Sequence, residues 1–171
     1  RGYLQKSRSP RKSRISSFIN TMINNLNSIL PFLSDLAQNN NRSWFQENRE
    51  RYDIARQAVL DLTATLIAEI GQFDPQVRYL EPKECLFRIY RDTRFSLDKS
   101  PYKRHFGIYI AMNGGHRSLF SGYYIHLQPG NCMLSGGIWC ADNQGIKRFR
   151  SYIDTEYEEL FDIMSQPDFK H

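Results

Sequence analysis

The sequence predicts an α+β domain: a mainly antiparallel sheet of four or more strands, with helices packed on its apolar face. Three observations predict it. Two stretches with helical apolar spacing precede residue 75, strand-like alternation fills residues 85–140, and helical spacing returns at 143–164. The elements therefore run in blocks of one kind, the pattern of α+β rather than α/β chains. Finally, Gln128-Pro129-Gly130-Asn131 places Pro where φ is fixed and Gly where φ > 0 is needed, so it should close a tight antiparallel hairpin as a type II turn.

Taken in order, Leu26, Ile29, Leu30, Leu33 and Leu36 mark a short amphipathic helix that ends near the Asn39-Asn40-Asn41 run. A long helix follows. Ser43 and Gln46 match the S-x-x-Q capping box, and Phe45, Tyr52, Ala55, Val59, Leu62, Leu66 and Ile70 form its buried stripe. Trp44 and Phe45, at its start, read as packing aromatics rather than a stacking platform. Gly71 and Pro75 are the stop signals. Strands are expected at Cys85–Phe95, Lys103–Met112, Gly122–Gln128 and Asn131–Cys140, with Gly114-Gly115 as a turn and Gly136-Gly137 as a bulge or a close backbone approach. The last helix turns Ile146, Phe149 and Ile153 to one side and leaves Lys147–Arg150 as a solvated face.

The formal charge of +5 divides unevenly. Residues 1–21 carry six Lys and Arg and no acid, and read as a disordered basic leader ahead of a natural start at Met22. Residues 22–171 read as one α+β domain holding 17 Lys+Arg against 18 Asp+Glu. A near-neutral body lacks the electrostatic footprint of a dedicated nucleic-acid binder, whereas the tail retains that option. No apolar run approaches the roughly 20 residues of a membrane span. Cys85, Cys132 and Cys140 form no C-x-x-C pair, and in one strand the last two would stand about 26 Å apart at ~3.3 Å per residue. A reducing cytoplasm is the expected location. Neither a metal motif nor a phosphate-cradling Gly-rich loop is present, so no cofactor is expected.

Period two sorts the expected strands into faces. Phe87, Ile89, Phe106, Ile108, Ile110, Tyr123, Ile125 and Leu127 fall on the apolar sides. The opposite sides collect Arg88, Tyr90, Asp92 and Arg94, then His105 and Tyr109, then Tyr124, His126 and Gln128. Arginine forks match carboxylate or phosphate at two points, and tyrosine and histidine add donors. The loop at 96–101 would bring Lys99 and Lys103 to the same place. The expected ligand-binding set is therefore Arg88, Tyr90, Arg91, Arg94, Lys99, Lys103, Arg104 and Tyr124, although period two turns Arg88 and Arg91 opposite ways. For proton transfer, Asp92 beside His105 or His126 would form a carboxylate-oriented imidazole. The structural alternative is Asp92 as counter-ion to Arg91 or Arg94.

"NNNRSWFQENRERYDIAR", "FRIYRDTRFSLDKSPYKRHFG" and "GYYIHLQPG…SGGIW" resemble the three signature stretches of the family called domain of unknown function 2461, over roughly residues 30 to 164. The resemblance implies a largely bacterial, soluble, single-domain protein and assigns no activity or catalytic residue. The charged stretch before Met22 lies outside that pattern. Family members continue past a segment like "FDIMSQPDFKH", so a C-terminal part is expected to be missing here.

Three function classes follow. The leading one is a domain binding a small anionic or phosphorylated ligand, with or without catalysis. The others are a nucleic-acid module using the Arg/Tyr face and the tail, and a protein-interaction domain in which "RDTRFSLDKSPYK" is an internal ion-pair lock. Oligomeric state is not legible in the sequence.

Overall fold

The structure, a computed structural model, describes residues 25–138 and 141–169. The basic segment 1–21, Cys140 and the end of the fourth expected strand lie outside the described residues. The chain divides into two compact units, one ending at Gly137 and one beginning at Ile138, where the sequence reading drew one domain over residues 22–171.

In the first unit, residues 25–38 form helix α1, which buries Ile29, Phe32, Leu33 and Leu36. The expected long helix is two helices, α2 (Arg42–Glu47) and α3 (Arg49–Ile70), meeting at Asn48. Asn48 leaves helical geometry at φ −106, and its side-chain amide donates to the Trp44 carbonyl at 2.9 Å. Such local side-chain bonding competes with the helical ladder. The Ser43–Gln46 capping box does not form. Asn41 is the N-cap instead, accepting from the Trp44 N–H at 3.0 Å, while Ser43 Oγ donates to Glu47 at 3.1 Å. The apolar stripe of α3 is as expected, with Tyr52, Ala55, Val59, Leu62 and Ile70 all buried. Phe45 also packs, its ring stacked on Tyr102 at 3.9 Å.

The first expected strand does not exist. Pro82 starts a helical turn, α4 (Pro82–Cys85), as its fixed φ favours. Beyond it, residues 86–105 make only isolated bridges, Leu86 to Ile108 and Tyr90 to Tyr102. The physical cause is short-range side-chain bonding: Asp92 accepts from the Arg94 N–H at 3.2 Å and Asp98 from the Ser100 N–H at 2.9 Å. These Asx turns coil the chain where a strand would need it extended.

Among the described residues three strands form rather than four or more: β1 (Phe106–Ala111), β2 (Ser121–Leu127) and β3 (Met133–Ile138), in the order β1-β2-β3. β1 and β2 pair antiparallel, with Phe106 opposite Leu127 and Ile108 opposite Ile125. Those four side chains and Ile110 share one core with α1 and α3. The expected turn joins β2 to β3: Gly130 takes φ 73, and the Asn131 N–H donates to Gln128 O at 3.0 Å. One face assignment fails. Leu86, which bridges to Ile108, takes the buried position expected of Phe87, so Phe87 turns the other way, toward Tyr124. β1 is buried on both faces, and Tyr109 on its second face has its hydroxyl 2.8 Å from the carbonyls of both Phe120 and Gly137.

The second unit carries α5 (Asn143–Thr155) and α6 (Tyr157–Ser165), two helices where one was expected, interrupted at Glu156. Asp142 caps α5 by accepting from the Gly145 N–H at 2.6 Å, and the Tyr152 hydroxyl donates to Glu159 at 2.5 Å.

One glycine decides how the first unit closes. Gly115 begins a short 3-10 turn, Gly115–Arg117, with φ +53, and a Cβ there would lie 2.7 Å from the Glu84 carbonyl oxygen and 2.9 Å from Cys85 Cα. Both the left-handed backbone and the contact with α4 require glycine. Gly115→Ala is expected to lower stability by roughly 2–5 kcal/mol, combining left-handed strain with overpacking. Urea unfolding of the two proteins checks this.

Candidate functional site

The residues expected to act together are distributed by the structure over distinct places. Arg91 and Arg94 are both paired within their own loop, Arg94 while largely exposed. Arg91 donates to Asp98 Oδ2 at 2.6 Å, Ser100 Oγ at 2.9 Å, Ser100 O at 3.2 Å and Ser96 Oγ at 3.2 Å, closing the loop on itself. Asp98 is held far below the usual carboxylate range, first by the Ser100 hydroxyl and N–H and then by Arg91. Arg94 forks onto Asp92 at 2.6 and 3.0 Å, and that fork lowers the Asp92 pKa. Asp92 is thus the counter-ion of Arg94 and orients neither histidine. Lys99 donates to the Thr93 carbonyl at 3.0 Å. Within "RDTRFSLDKSPYK", Arg91, Arg94 and Lys99 are therefore all bonded to partners on the same loop.

His105, Tyr124 and His126 do come together on the second face of the sheet. The His105 and His126 rings stack at 4.2 Å. His126 Nε2 bonds Gln128 Oε1 at 3.0 Å, so Nε2 carries the proton and Nδ1 accepts from the Tyr124 hydroxyl at 3.0 Å. With both nitrogens engaged, His126 has no free lone pair for a substrate. Burial, then His126, then Lys103 lower the His105 pKa to about 4. The expected Asp92–His acid–base pair is therefore not assembled.

Arg88, Tyr90 and Lys103 meet elsewhere, in a cleft of about 540 Å³ beside the β1 edge. Its position follows from backbone bonds. Phe87 N–H donates to Gly107 O at 3.0 Å, and Lys103 N–H donates to Ile89 O at 2.8 Å. These bonds lay residues 86–90 along the sheet edge. Tyr52 and Arg56 enter from one face of α3, four residues apart, and Lys83 enters from α4. His116 and Arg117 arrive on the Gly115 turn. Among the described residues, five cations, Arg56, Lys83, Arg88, Lys103 and Arg117, line the cleft together with His116, and no carboxylate does. The ion pairs of the described residues lie elsewhere: Arg49–Asp53, Arg51–Asp35, Arg91–Asp98 and Arg94–Asp92.

Packing inside the cleft is specific. Lys103 Nζ sits 5.5 Å from the Phe87 ring centroid, a cation–π contact. Burial first and Arg88 second lower the Lys103 pKa. His116 Nδ1 donates to the Glu84 carbonyl, which fixes the tautomer and leaves Nε2 as the ring's other nitrogen. Among the described residues nothing bonds Nε2. Cys85 is fully buried beside this region, its thiol pushed up to about 12 by burial and Glu84, so it packs rather than reacts.

Sequence reasoning missed Arg56, Lys83, His116 and Arg117. The i, i+4 relation of Tyr52 and Arg56 was a usable signal. Nothing local marked the other three, because their convergence depends on Gly115 reaching α4. Arg104 and Lys99 instead border an open depression of about 700 Å³ with Arg42 and Asp98. That depression includes the Asp98 carboxylate, and its lysine is already bonded to the Thr93 carbonyl.

The first unit is thus an α+β body of three strands and packed helices, with a carboxylate-free cationic cleft at its sheet edge. The chain belongs to the family described as conserved hypothetical protein (DUF2461), which matches residues 28–171. No curated protein and no solved structure matches it. No helix among the described residues is long and apolar enough to cross a membrane.

The histidine stack predicts a pH dependence. The unfolded chain protonates His105 near 6.5 and the folded chain near about 4, so between these values the unfolded state binds more protons. Stability should fall as pH drops from 6.5 toward 4. His105→Gln should flatten that slope in urea melts taken across the window.

Proposed function

We propose that this protein binds a small phosphorylated anion in the cleft formed by Arg56, Lys83, Arg88, Lys103 and Arg117, and does so in the bacterial cytoplasm. One observation carries the reading: five cations from α3, α4, the edge segment and the Gly115 turn face one cleft that has no carboxylate. A fold gains nothing from gathering unpaired like charges, whereas a bound anion offsets their repulsion. Arginine supplies three of the five, and its planar fork suits phosphate oxygens. The cleft volume also lies within the roughly 300–1,000 Å³ usual for small-molecule sites. Tyr90 and Phe87 offer ring surface to the rest of the ligand, and His116 Nε2 is the group placed for proton transfer should the ligand react. The cytoplasmic location rests on free Cys85 and Cys132, and the bacterial one on the family resemblance.

A second reading, contact with a protein partner, is favoured by Phe95 and Leu97, which stand fully exposed on the loop that Arg91 closes. A nucleic-acid partner draws no support from the cleft, whose cations surround a pocket rather than form a stripe.

The test is a thermal melt with and without phosphate or sulfate. A bound anion should stabilise the wild type by roughly 2.7 kcal/mol at a hundredfold excess over Kd. Arg88→Ala and Lys103→Ala should lose that response without losing unliganded stability. Arg94→Lys should keep it, because Arg94 serves Asp92. If no anion raises the wild-type midpoint, the proposal fails.

A further inference from the structure

Resting on that reading of the cleft, we infer that its ligand carries two or more phosphate groups, as a pyrophosphate or triphosphate chain does. A single phosphate group carries about −1.5 to −2 near neutral pH, so one group would leave about three of the five cationic charges uncompensated. Two or three groups match the set. The cations are also spread around the cleft: Arg56 on α3, Lys83 on α4, Arg88 and Lys103 on two segments of the sheet edge, and Arg117 on the Gly115 turn. A chain of phosphates lets successive groups meet different walls, and a lone tetrahedral ion does not span a cleft of about 540 Å³.

The side chains are prepared for such a ligand. Among the described residues none of the five cations donates a side-chain hydrogen bond or forms an ion pair, so every fork and ammonium is available. Lys103 is seated over Phe87 and half-buried, which places one positive charge in the interior of the cleft. Arg88 and Lys103 line the same cleft from backbone joined by the Lys103 N–H bond to Ile89 O, one residue from Arg88, so these two form the pair assigned to one phosphate group. Arg56, Lys83 and Arg117 are left for the next. His116 stands beside Arg117 on the same turn and offers Nε2 as a further donor when its ring is charged.

Isothermal titration of the full chain with inorganic phosphate, pyrophosphate and tripolyphosphate at matched ionic strength tests this. Pyrophosphate should bind at least about tenfold more tightly than phosphate, and tripolyphosphate at least as tightly as pyrophosphate. Arg88→Ala and Arg117→Ala should each weaken pyrophosphate by about tenfold or more, with circular dichroism and melting midpoint unchanged. Arg88→Gln serves in place of any variant that fails to fold. Equal affinity for phosphate and pyrophosphate would overturn the inference while leaving the anion site standing. Tight pyrophosphate binding that survives both substitutions would overturn it by placing the site elsewhere. No binding of any of the three anions would overturn the cleft reading and this inference together.

Discussion

A few backbone hydrogen bonds at the edge of a three-stranded sheet organise the first unit. Phe87 bonds to Gly107, Arg91 N–H to Pro101 O, and Lys103 N–H to Ile89 O. This short ladder ties residues 86–91 to 101–107 and splits the charged central segment into two parts. What lies outside the ladder, residues 92–100, coils into a loop that bonds to itself. What lies on it, Arg88 and Lys103 among others, is presented to the cleft. Loss of the ladder would mix the two groups of cations and leave neither arrangement.

The division has an electrostatic logic. Cations on the loop have acids within reach, Asp92 and Asp98, and are neutralised locally. The cleft cations come from elements far apart in sequence and meet without a carboxylate. Surface pairs of the first kind contribute little to stability and shape a loop. A set of the second kind repels itself unless something offsets it, which is the role given to the anion proposed above.

Packing supports this at two points. The Phe45–Tyr102 stack anchors the far end of the ladder to α2, and Asn40 bonds both to Tyr102 O and from Tyr102 N–H, at 2.9 and 3.1 Å. At the near end, Gly115 lets the turn bearing His116 and Arg117 lie directly on α4.

The sequence by itself determined the elements governed by short-range chemistry. The α3 stripe, the β1 and β2 faces and the Gln128–Asn131 turn follow from periodicities of 3.6 and two residues and from what Pro and Gly permit in φ. Local reading failed where another local interaction competed. Asn48 broke the helix, Pro82 began one, and the Asx turns at Asp92 and Asp98 undid a strand, so Phe87 turned away from the face assigned to it while Ile89 kept its own. Which arginines pair and which stay free was a tertiary decision. Arg91 and Arg88 are the same residue type three positions apart, yet one finds Asp98 and the other faces Lys103. Arg56, Lys83 and Arg117 join the cleft through contacts spanning tens of residues, and charge acts through space, so no spacing in the sequence marks that convergence.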